Sequence, residues 1–302
     1  MTTTAPIRLS VLDVGVFQLS VQLAPRAEAL GYDRYWISEH HGERAITNPT
    51  LLVPVIAGLT ETIRVGTAGI LLRFQSALAV AENFRMLTRL FPGRIDLGLA
   101  RAPAGSPAQT VALSDGRIGD YSPEDHDTKV TDVQGILCGR LPSQHPLRGE
   151  RIDPPLTTAG PPALWVHSTS PNGASLAAKL GSHYSFHDHY NAEYGPRSVR
   201  RYVDEFRPSP ELAAPHWSVC VAGYCGEDEA DVQAAKTERF DGLPTGRHTI
   251  LGTIDHWREQ LAALSDAYET RDIVVQTLGG KYDLEHQVGS LARIAEAARS
   301  LS

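Results

Sequence analysis

Three ionisable side chains, Glu39, His40 and His41, follow the short apolar run 35–37 after a single serine. The run is typical of the end of a buried strand, and adjacent strand residues point to opposite faces. Glu39 and His41 are therefore predicted to share one face, with His40 on the other. Imidazoles beside a carboxylate can move protons near neutral pH, so all three are candidate catalytic residues. The competing interpretation is a hydrogen-bonded shelf that only shapes a pocket.

An arginine and a hydroxyl-rich loop form a second candidate site, which would bind an anion. Arg101 ends a predicted strand, where its guanidinium can hold a phosphate with two hydrogen bonds. A later loop offers hydroxyls, a glycine and the N–H groups of a new helix. Its candidate binding residues are Ser168, Thr169, Ser170, Gly173 and Ala174. Ordinary helix capping explains such a loop by itself, but its combination with Arg101 favours phosphate binding.

A third candidate site consists of Phe186, His187 and His189. His187 and His189 can share one face, and two such histidines in a barrel can ligate the metal of a hydrolase. That alternative needs a carboxylate or lysine on other strands in a suitable order, and none that is compelling occurs. We therefore predict that these three residues line a substrate pocket and that the chain binds no metal.

Alternating strands and helices are predicted to position these residues. The predicted strands are 7–14, 33–38, 63–71, 94–100, 163–168, 183–187, 218–222 and 271–276. The predicted helices are 18–30, 50–59, 77–90, 123–137, 174–180, 254–268 and 284–298. This alternation is typical of a parallel α/β sheet. We predict one domain over residues 1–302, a (β/α)8 TIM barrel, with an insertion between strands 4 and 5 that passes over the barrel mouth.

Composition narrows the classes of partner and location. The 302 residues are 42% hydrophobic and 21% charged, which is enough apolar material for a large core. A net charge of −7 argues against nucleic acid or an anionic membrane as partner. Three cysteines, an odd number, indicate no disulfide framework, so we expect a cytoplasmic protein with reduced thiols. The N-terminal residues lack a basic region followed by a long apolar run, so we expect a short tail rather than a signal peptide.

An ordered series of segments resembles the bacterial luciferase-like flavin monooxygenases. The series comprises residues 30–32, 36–41, 65–72, 80–84, 91–103, 164–174, 176–178, 249–253 and 272–277. It covers most of the chain and thins between 104 and 160 and between 191 and 245. The resemblance implies a barrel that binds reduced FMN (FMNH2), adds O2 at the flavin C4a atom, and protects the resulting hydroperoxide while a small organic substrate is oxidised.

The resemblance also implies roles for particular residues. His40 matches the family's active-site histidine, and His41 the position behind it. Arg101 and the hydroxyl-rich loop would hold the flavin phosphate. Ala68-Gly69 matches a non-prolyl cis peptide that fits against the flavin ring, although Gly69 can also simply relieve crowding in the barrel.

Partners follow from the same resemblance. No GxGxxG nucleotide-binding motif occurs in the chain, so a separate flavin reductase is expected to supply FMNH2. The helices 50–59 and 77–90, rich in Leu, Ala and Val, are expected to pack across the two-fold axis of a homodimer.

Three alternatives stay open. The chain could be a deazaflavin (F420)-dependent oxidoreductase of the same superfamily, a flavin-binding protein without catalysis, or a TIM-barrel metal hydrolase. The Glu39-His40-His41 run favours the FMN branch over the F420 branch. Ala77 and His187 depart from the usual proline and small residue of the family, and the region between strands 4 and 5 is short. We expect a neutral organic substrate of the kind found in secondary metabolism.

Overall fold

Parallel strands that alternate with helices dominate the chain. The computed structural model describes residues 5–15, 17–42, 46–102, 105–115, 121–152, 160–239, 249–276 and 283–301. Within these ranges the strands are β1 (Arg8–Asp13), β2 (Arg34–Ile37), β3 (Arg64–Thr67), β4 (Ile70–Leu71), β5 (Ile95–Ala100), β6 (Ala163–Ser168), β7 (His183–His187), β8 (Trp217–Cys225), β9 (Thr249–Gly252) and β10 (Asp272–Gln276). The α-helices are α1 (Phe17–Ala29), α2 (Pro49–Leu59), α3 (Ala77–Leu90), α4 (Pro107–Leu113), α5 (Pro123–Cys138), α6 (Pro171–Leu180), α7 (Asp188–Asn191), α8 (Gly195–Glu205), α9 (Glu229–Arg239), α10 (Ile254–Tyr268) and α11 (Leu284–Arg299).

Strand pairing closes the sheet on itself. β10 pairs in parallel with β1 on one side and with β8 on the other. β3 and β4 share one position of the barrel, since both pair with β5. Counted over the described residues, the barrel has eight positions, which confirms the predicted (β/α)8 fold. β9 lies outside the barrel and extends the sheet from the far end of β8.

The barrel interior and the layer under the helices use alternate residues of each strand. Side chains that fill the interior are Leu12, Trp36, Ala68, Trp165, Cys220 and Val274. Their neighbours in sequence, such as Val11 and Tyr35, belong instead to the larger core between the strands and the helices. This is the two-residue period of a strand with both faces buried. The middle of the barrel is therefore filled by side chains, and a cavity for a ligand is expected at one of its ends.

Local signals fix the ends of the helices that border the site. α5 begins with a capping box, in which the Ser122 hydroxyl accepts from the Asp125 N–H at 3.1 Å and the Asp125 carboxylate accepts from the Ser122 N–H at 3.0 Å. Pro123 occupies its first turn, where a missing N–H costs nothing. α6 ends at Gly181, whose φ of 60° is the left-handed conformation that glycine adopts without a Cβ clash.

The structure corrects several predicted boundaries. The predicted strand 63–71 is interrupted at Ala68-Gly69, the helix expected from Ala174 begins at Pro171, and the strand expected to end at Ala222 continues to Cys225. The sequence analysis missed α4, α7, α8, α9 and β9 altogether. α8 is mostly polar, and its buried face, Gly195, Ser198, Val199 and Tyr202, has helical spacing but few apolar side chains to signal it. Within the described residues, no helix combines the length and apolar character needed to cross a membrane.

Candidate active site

A cavity of about 650 Å³ lies at the C-terminal ends of the barrel strands. Residues at the ends of β1, β2, β5, β6, β7 and β10 line it, and the first turn of α5 borders it. Its volume falls within the ~300–1,000 Å³ of small-molecule and cofactor pockets. The C-terminal face is where (β/α)8 barrels carry their chemistry.

His40 is exposed and lines this cavity. Its neighbours Glu39 and His41 form a hydrogen-bonded pair beside it. The His41 Nε2 lies 3.1 Å from the Glu39 Oε1, so these two side chains are in contact, although β2 ends at Ile37 and both residues lie beyond the strand. The other Glu39 oxygen accepts from the Leu71 N–H at 3.0 Å. Burial raises the pKa of Glu39, although these two hydrogen bonds oppose the rise. Glu39 therefore ties the end of β2 to β4, and both Glu39 and His40 line the cavity.

The adjacent wall is built from small residues where the third barrel strand is interrupted. The Ala68–Gly69 peptide bond is cis, as the resemblance implied. Both residues line the cavity. A Cβ on Gly69 would lie 2.8 Å from the carbonyl carbon of Leu99, so the backbone of β5 packs directly against this position. Glycine is therefore required at residue 69 for close packing.

Arg101 lies at the end of β5, exposed, at the edge of the cavity. The first turn of α5 brings His126 and Asp127 to the same edge. Burial lowers the pKa of His126 to about 4, and the positive charges of Arg101 and Lys129 add to the effect. His126 is therefore neutral near neutral pH, and Arg101 supplies the positive charge at this edge.

The loop between β6 and α6 completes this edge of the cavity. The Ser168 Oγ accepts from the Ser170 N–H at 3.0 Å, which folds the loop over the start of the helix. A Cβ on Gly173 would lie 2.2 Å from the same Oγ, so glycine is needed there. The cavity is lined by Ser168, Thr169, Ser170, Asn172 and Gly173, whereas Ala174 is buried beneath them. Free N–H groups in the first turn of α6 and the Arg101 guanidinium together suit an anion.

A pair of buried histidines lies within the cavity wall. The His167 Nδ1 and the His187 Nε2 are 3.0 Å apart, and both residues line the cavity. Burial lowers the pKa of His167 to about 3, against the opposing charge of Asp96. Burial also holds the pKa of His187 well below its usual range, and the nearby imidazoles of His167, His189 and His40 add to this. Both rings are therefore neutral, and each offers one donor and one acceptor.

Of the three residues predicted to line a substrate pocket, one lines the cavity and two are buried elsewhere in the structure. His187 lines the cavity. Phe186 is fully buried in the outer core, where its ring stacks on Tyr268. His189 is fully buried, and its Nδ1 lies 3.2 Å from the Cys220 carbonyl oxygen. The substrate-binding roles of Phe186 and His189 stay predictions, and neither side chain is part of the cavity lining found among the described residues.

The sequence analysis missed His167, His126, Asp127 and Gln276, which also line the cavity. His167 follows Trp165 by two residues on β6, so the strand period alone would place both inside the barrel. Gln276 ends β10, the position at which barrel strands present functional residues. His126 and Asp127 come from α5, whose approach to the mouth no local pattern reveals.

Comparison with known proteins gives this geometry a family context. The model of the luciferase-like monooxygenase family matches residues 4–296. The uncharacterized protein YwcH of Bacillus subtilis (strain 168) is 34% identical, over 93% of this chain and 92% of its own length. The N-acetyl-S-alkylcysteine monooxygenase of the same organism is 31% identical, over 90% and 84%. A luciferase-like monooxygenase of Escherichia coli (strain K12) is 30% identical, over 93% and 83%.

Solved structures share the fold. Apo-MsnO8 superposes with a TM-score of 0.85 at 27% identity, covering 98% of this chain and 99% of its own. The oxygenating constituent of 3,6-diketocamphane monooxygenase from Pseudomonas putida, in complex with FMN, gives 0.71 at 17%, covering 97% and 98%. An F420-dependent secondary alcohol dehydrogenase gives 0.73 at 13%, covering 98% of this chain and 100% of its own. The last two identities are low enough that the likeness shows the fold alone.

Proposed function

The chain belongs to the luciferase-like monooxygenase family, and we propose that it is an FMN-dependent member that uses FMNH2 and O2 to oxygenate a small organic substrate. The observation that carries the proposal is one cavity with an anion-binding edge, made by Arg101 and the start of α6, and with His40 facing the same space. A flavin mononucleotide has both a phosphate and a reactive ring, so it needs both features at once.

The cavity suits FMN in shape as well as in charge. Ala68, Gly69, Ala100 and Val166 are small or apolar and leave room for a flat ring. The phosphate would be held by Arg101, the Ser168–Ser170 hydroxyls and the N–H groups of the first turn of α6. When bound, reduced FMN supplies the electrons that activate O2, and the protein supplies binding, orientation and exclusion of water.

His40 is the proposed proton carrier. An imidazole can both give and take a proton, and this one faces the cavity. The neighbouring Glu39–His41 pair is proposed to hold the strand end, and thereby His40, in place. The neutral His167–His187 pair would offer hydrogen bonds to a ligand in the wall opposite.

The cofactor is tested by anaerobic titration of the purified chain with FMNH2 and, separately, with reduced F420. We expect tight binding of FMNH2 and slower reoxidation of the bound flavin on mixing with oxygenated buffer than of free flavin. The relatives of known structure include both an FMN complex and an F420-dependent enzyme, so the F420 titration is the natural alternative. Selective binding of F420 would refute the FMN assignment, and binding of FMNH2 without substrate-dependent oxygen consumption would indicate a non-catalytic flavin protein.

A separate reductase is proposed to supply the reduced flavin. The purified chain should then fail to oxidise NADH or NADPH until a flavin reductase is added. N-acetyl-S-alkylcysteine, the substrate class in the name of one relative, is a suitable first compound for the assay. A cytoplasmic location is proposed as well, since all three cysteines are unpaired.

Homodimerisation through α2 and α3 is proposed from their exposed apolar side chains. Leu51, Val55 and Leu59 repeat every four residues on α2 and are 71%, 47% and 51% exposed. Met86 and Leu90 on α3 are 50% and 60% exposed. Contiguous exposed apolar side chains are typical of a surface that a second subunit covers. Light scattering should give a dimer mass at micromolar concentration, and Leu51→Glu with Leu59→Glu should give a monomer; a monomeric wild-type chain would refute the proposal.

A further inference from the structure

Three metal-ligating side chains meet inside the barrel beside the cavity. His187, His189 and Cys220 each offer one ligand atom, and these atoms all lie within 4.8 Å of one another. All three side chains are buried, with relative exposures of 8%, 0% and 0%. Two imidazoles and a thiol, gathered away from solvent, are the donor set of borderline and soft transition metals.

The sheet itself holds two of the three together. His187 on β7 and Cys220 on β8 are register partners, so they lie side by side on neighbouring parallel strands. The His187 side chain lines the cavity, and the Cys220 side chain belongs to the barrel interior next to it. His189 joins them because the chain turns into α7 directly after β7. The cluster is therefore a consequence of strand register rather than of mobile surface side chains.

Hydrogen bonds prepare both imidazoles as ligands. A carbonyl oxygen can only accept, so the His189 Nδ1 carries the proton that it shares with the Cys220 oxygen, and its Nε2 carries the lone pair. The His187 ring is held by its hydrogen bond to His167. Metal-binding histidines characteristically have their orientation and tautomer fixed by such second partners.

The charges near the cluster suit a divalent cation. Cys220 would release one proton to solvent and ligate as the thiolate, which contributes one negative charge. Asp188 lies between the two histidines in sequence, is 3% exposed, and accepts a hydrogen bond from the Tyr268 hydroxyl. The thiolate and this carboxylate would together balance two positive charges, which is the condition for a buried ion.

We infer that His187, His189 and Cys220 form a binding site for a divalent borderline metal such as Zn²⁺ or Co²⁺, adjoining the flavin cavity. Metal–ligand bonds of ~2.0–2.3 Å require the three ligand atoms to close by roughly 1 Å. Three protein ligands leave a fourth position, which a water molecule or a cavity ligand can take. The sequence analysis sought a carboxylate or lysine as the third group, and the structure supplies a thiol instead. The site does not depend on the proposed use of FMN.

The test is titration of the chelator-treated, flavin-free chain with Co²⁺ in the absence of oxygen. We expect one equivalent to bind, with a thiolate-to-cobalt charge-transfer band that disappears when Zn²⁺ displaces the cobalt. Because no flavin is present, the result is independent of the FMN titration. A wild-type chain that binds no Co²⁺, or binds it without the thiolate band, overturns the inference.

Variants assign the ligands. Cys220→Ser should abolish the band, and His189→Gln should weaken binding by more than ~100-fold, since loss of even a second partner of a ligand costs ~10–100-fold. Cys138→Ser is the matched control, because it removes a half-buried thiol elsewhere and should change nothing. Circular dichroism checks that each variant is folded. Loss of the band in Cys138→Ser, or its persistence in folded Cys220→Ser, refutes the assignment; if Cys220→Ser does not fold, His189→Gln decides.

Discussion

The two ends of the barrel differ in how their ionisable groups are paired and exposed. At the N-terminal end, Asp96 and Asp272 are 0% and 2% exposed and are surrounded by cations. Arg64 lies 2.9 Å from Asp96, and Arg34 lies between the two carboxylates, 3.2 Å from Asp96 and 3.5 Å from Asp272. His216 adds a hydrogen bond to Asp272 at 3.1 Å. Asp96 and Asp272 therefore each have their charge matched within the protein.

At the C-terminal end, polar groups border a cavity, and only some of them pair with one another, as Glu39 does with His41 and His167 with His187. Arg101 and His40 are exposed there, and His167 has a buried Nε2 without a hydrogen-bond partner. The imidazoles inside this end are held neutral by burial. Leaving hydrogen-bonding capacity unused costs stability, typically ~1–3 kcal/mol for each unsatisfied buried group. The difference indicates that the N-terminal end closes the barrel, whereas the C-terminal end keeps its polar groups available for ligands.

The largest effect expected at the cavity end follows from removing His40. His40→Ala should keep the fold and most of the FMN affinity but lower turnover by ~100- to 10,000-fold, the usual contribution of a general acid or base. Turnover with the identified substrate, together with FMN titration and circular dichroism, measures this. His145→Ala is the control, because His145 pairs with Asp132 and is not part of the cavity lining. Turnover equal to wild type would remove His40 from the mechanism.

At the opposite end, the expected loss is in stability rather than in binding. Asp96→Ala leaves Arg34 and Arg64 without their shared partner, and removing one member of a buried pair costs ~3–5 kcal/mol. Glu211→Ala breaks an exposed pair with Arg140 and should cost only ~0–1 kcal/mol. Denaturant unfolding compares the two variants. Equal losses would show that burial does not distinguish these pairs.

The fold was largely predictable from the sequence because strand and helix periods are local. The strands 163–168 and 183–187 and the helix 77–90 agree with the structure residue for residue. α8 and β9 were missed, since α8 is mostly polar and β9 is only four residues long. The comparison with known proteins confirms the family that the segment order indicated.

The site was predictable only where it lies at strand ends. His40, Arg101 and the Ser168–Gly173 loop follow strands directly, and all line the cavity. His187 lies beside His167 and Cys220 because of the register between β6, β7 and β8. That register cannot be read from the sequence of any one strand. The same limit explains why the sequence analysis could not find the thiol that completes the metal cluster.

An intermediate effect is expected for the phosphate contact. Arg101→Ala should weaken FMNH2 binding by roughly ten- to a hundredfold, since a charge-assisted hydrogen bond is worth ~1.5–3 kcal/mol. Reduced riboflavin lacks the phosphate, so its affinity should barely change. Paired titrations of both ligands with wild type and variant measure the difference. Equal losses would mean that Arg101 supports the barrel rim, and that the α6 loop alone would have to hold the phosphate.

The smallest expected effect is at the N-terminal end, where Asp272 should make the free energy of unfolding depend on pH. Burial opposes ionisation of Asp272, but the hydrogen bond from His216 and the charges of Arg34 and Arg8 outweigh it and lower the pKa below the usual 3.8. The acid is then ionised in the folded chain over a wider pH range than in the unfolded chain, so its stabilisation is complete above pH 3.8 and is lost as the pH falls through the folded pKa. Asp272→Asn keeps hydrogen bonding without the charge and should cost of the order of 1 kcal/mol at neutral pH. Unfolding measured at several pH values should show the gap between wild type and variant shrinking in acid, because the wild-type residue becomes neutral as well. A gap that stays constant with pH would mean that Asp272 acts through its shape and hydrogen bonds, and that the charge matching at this end contributes nothing to stability.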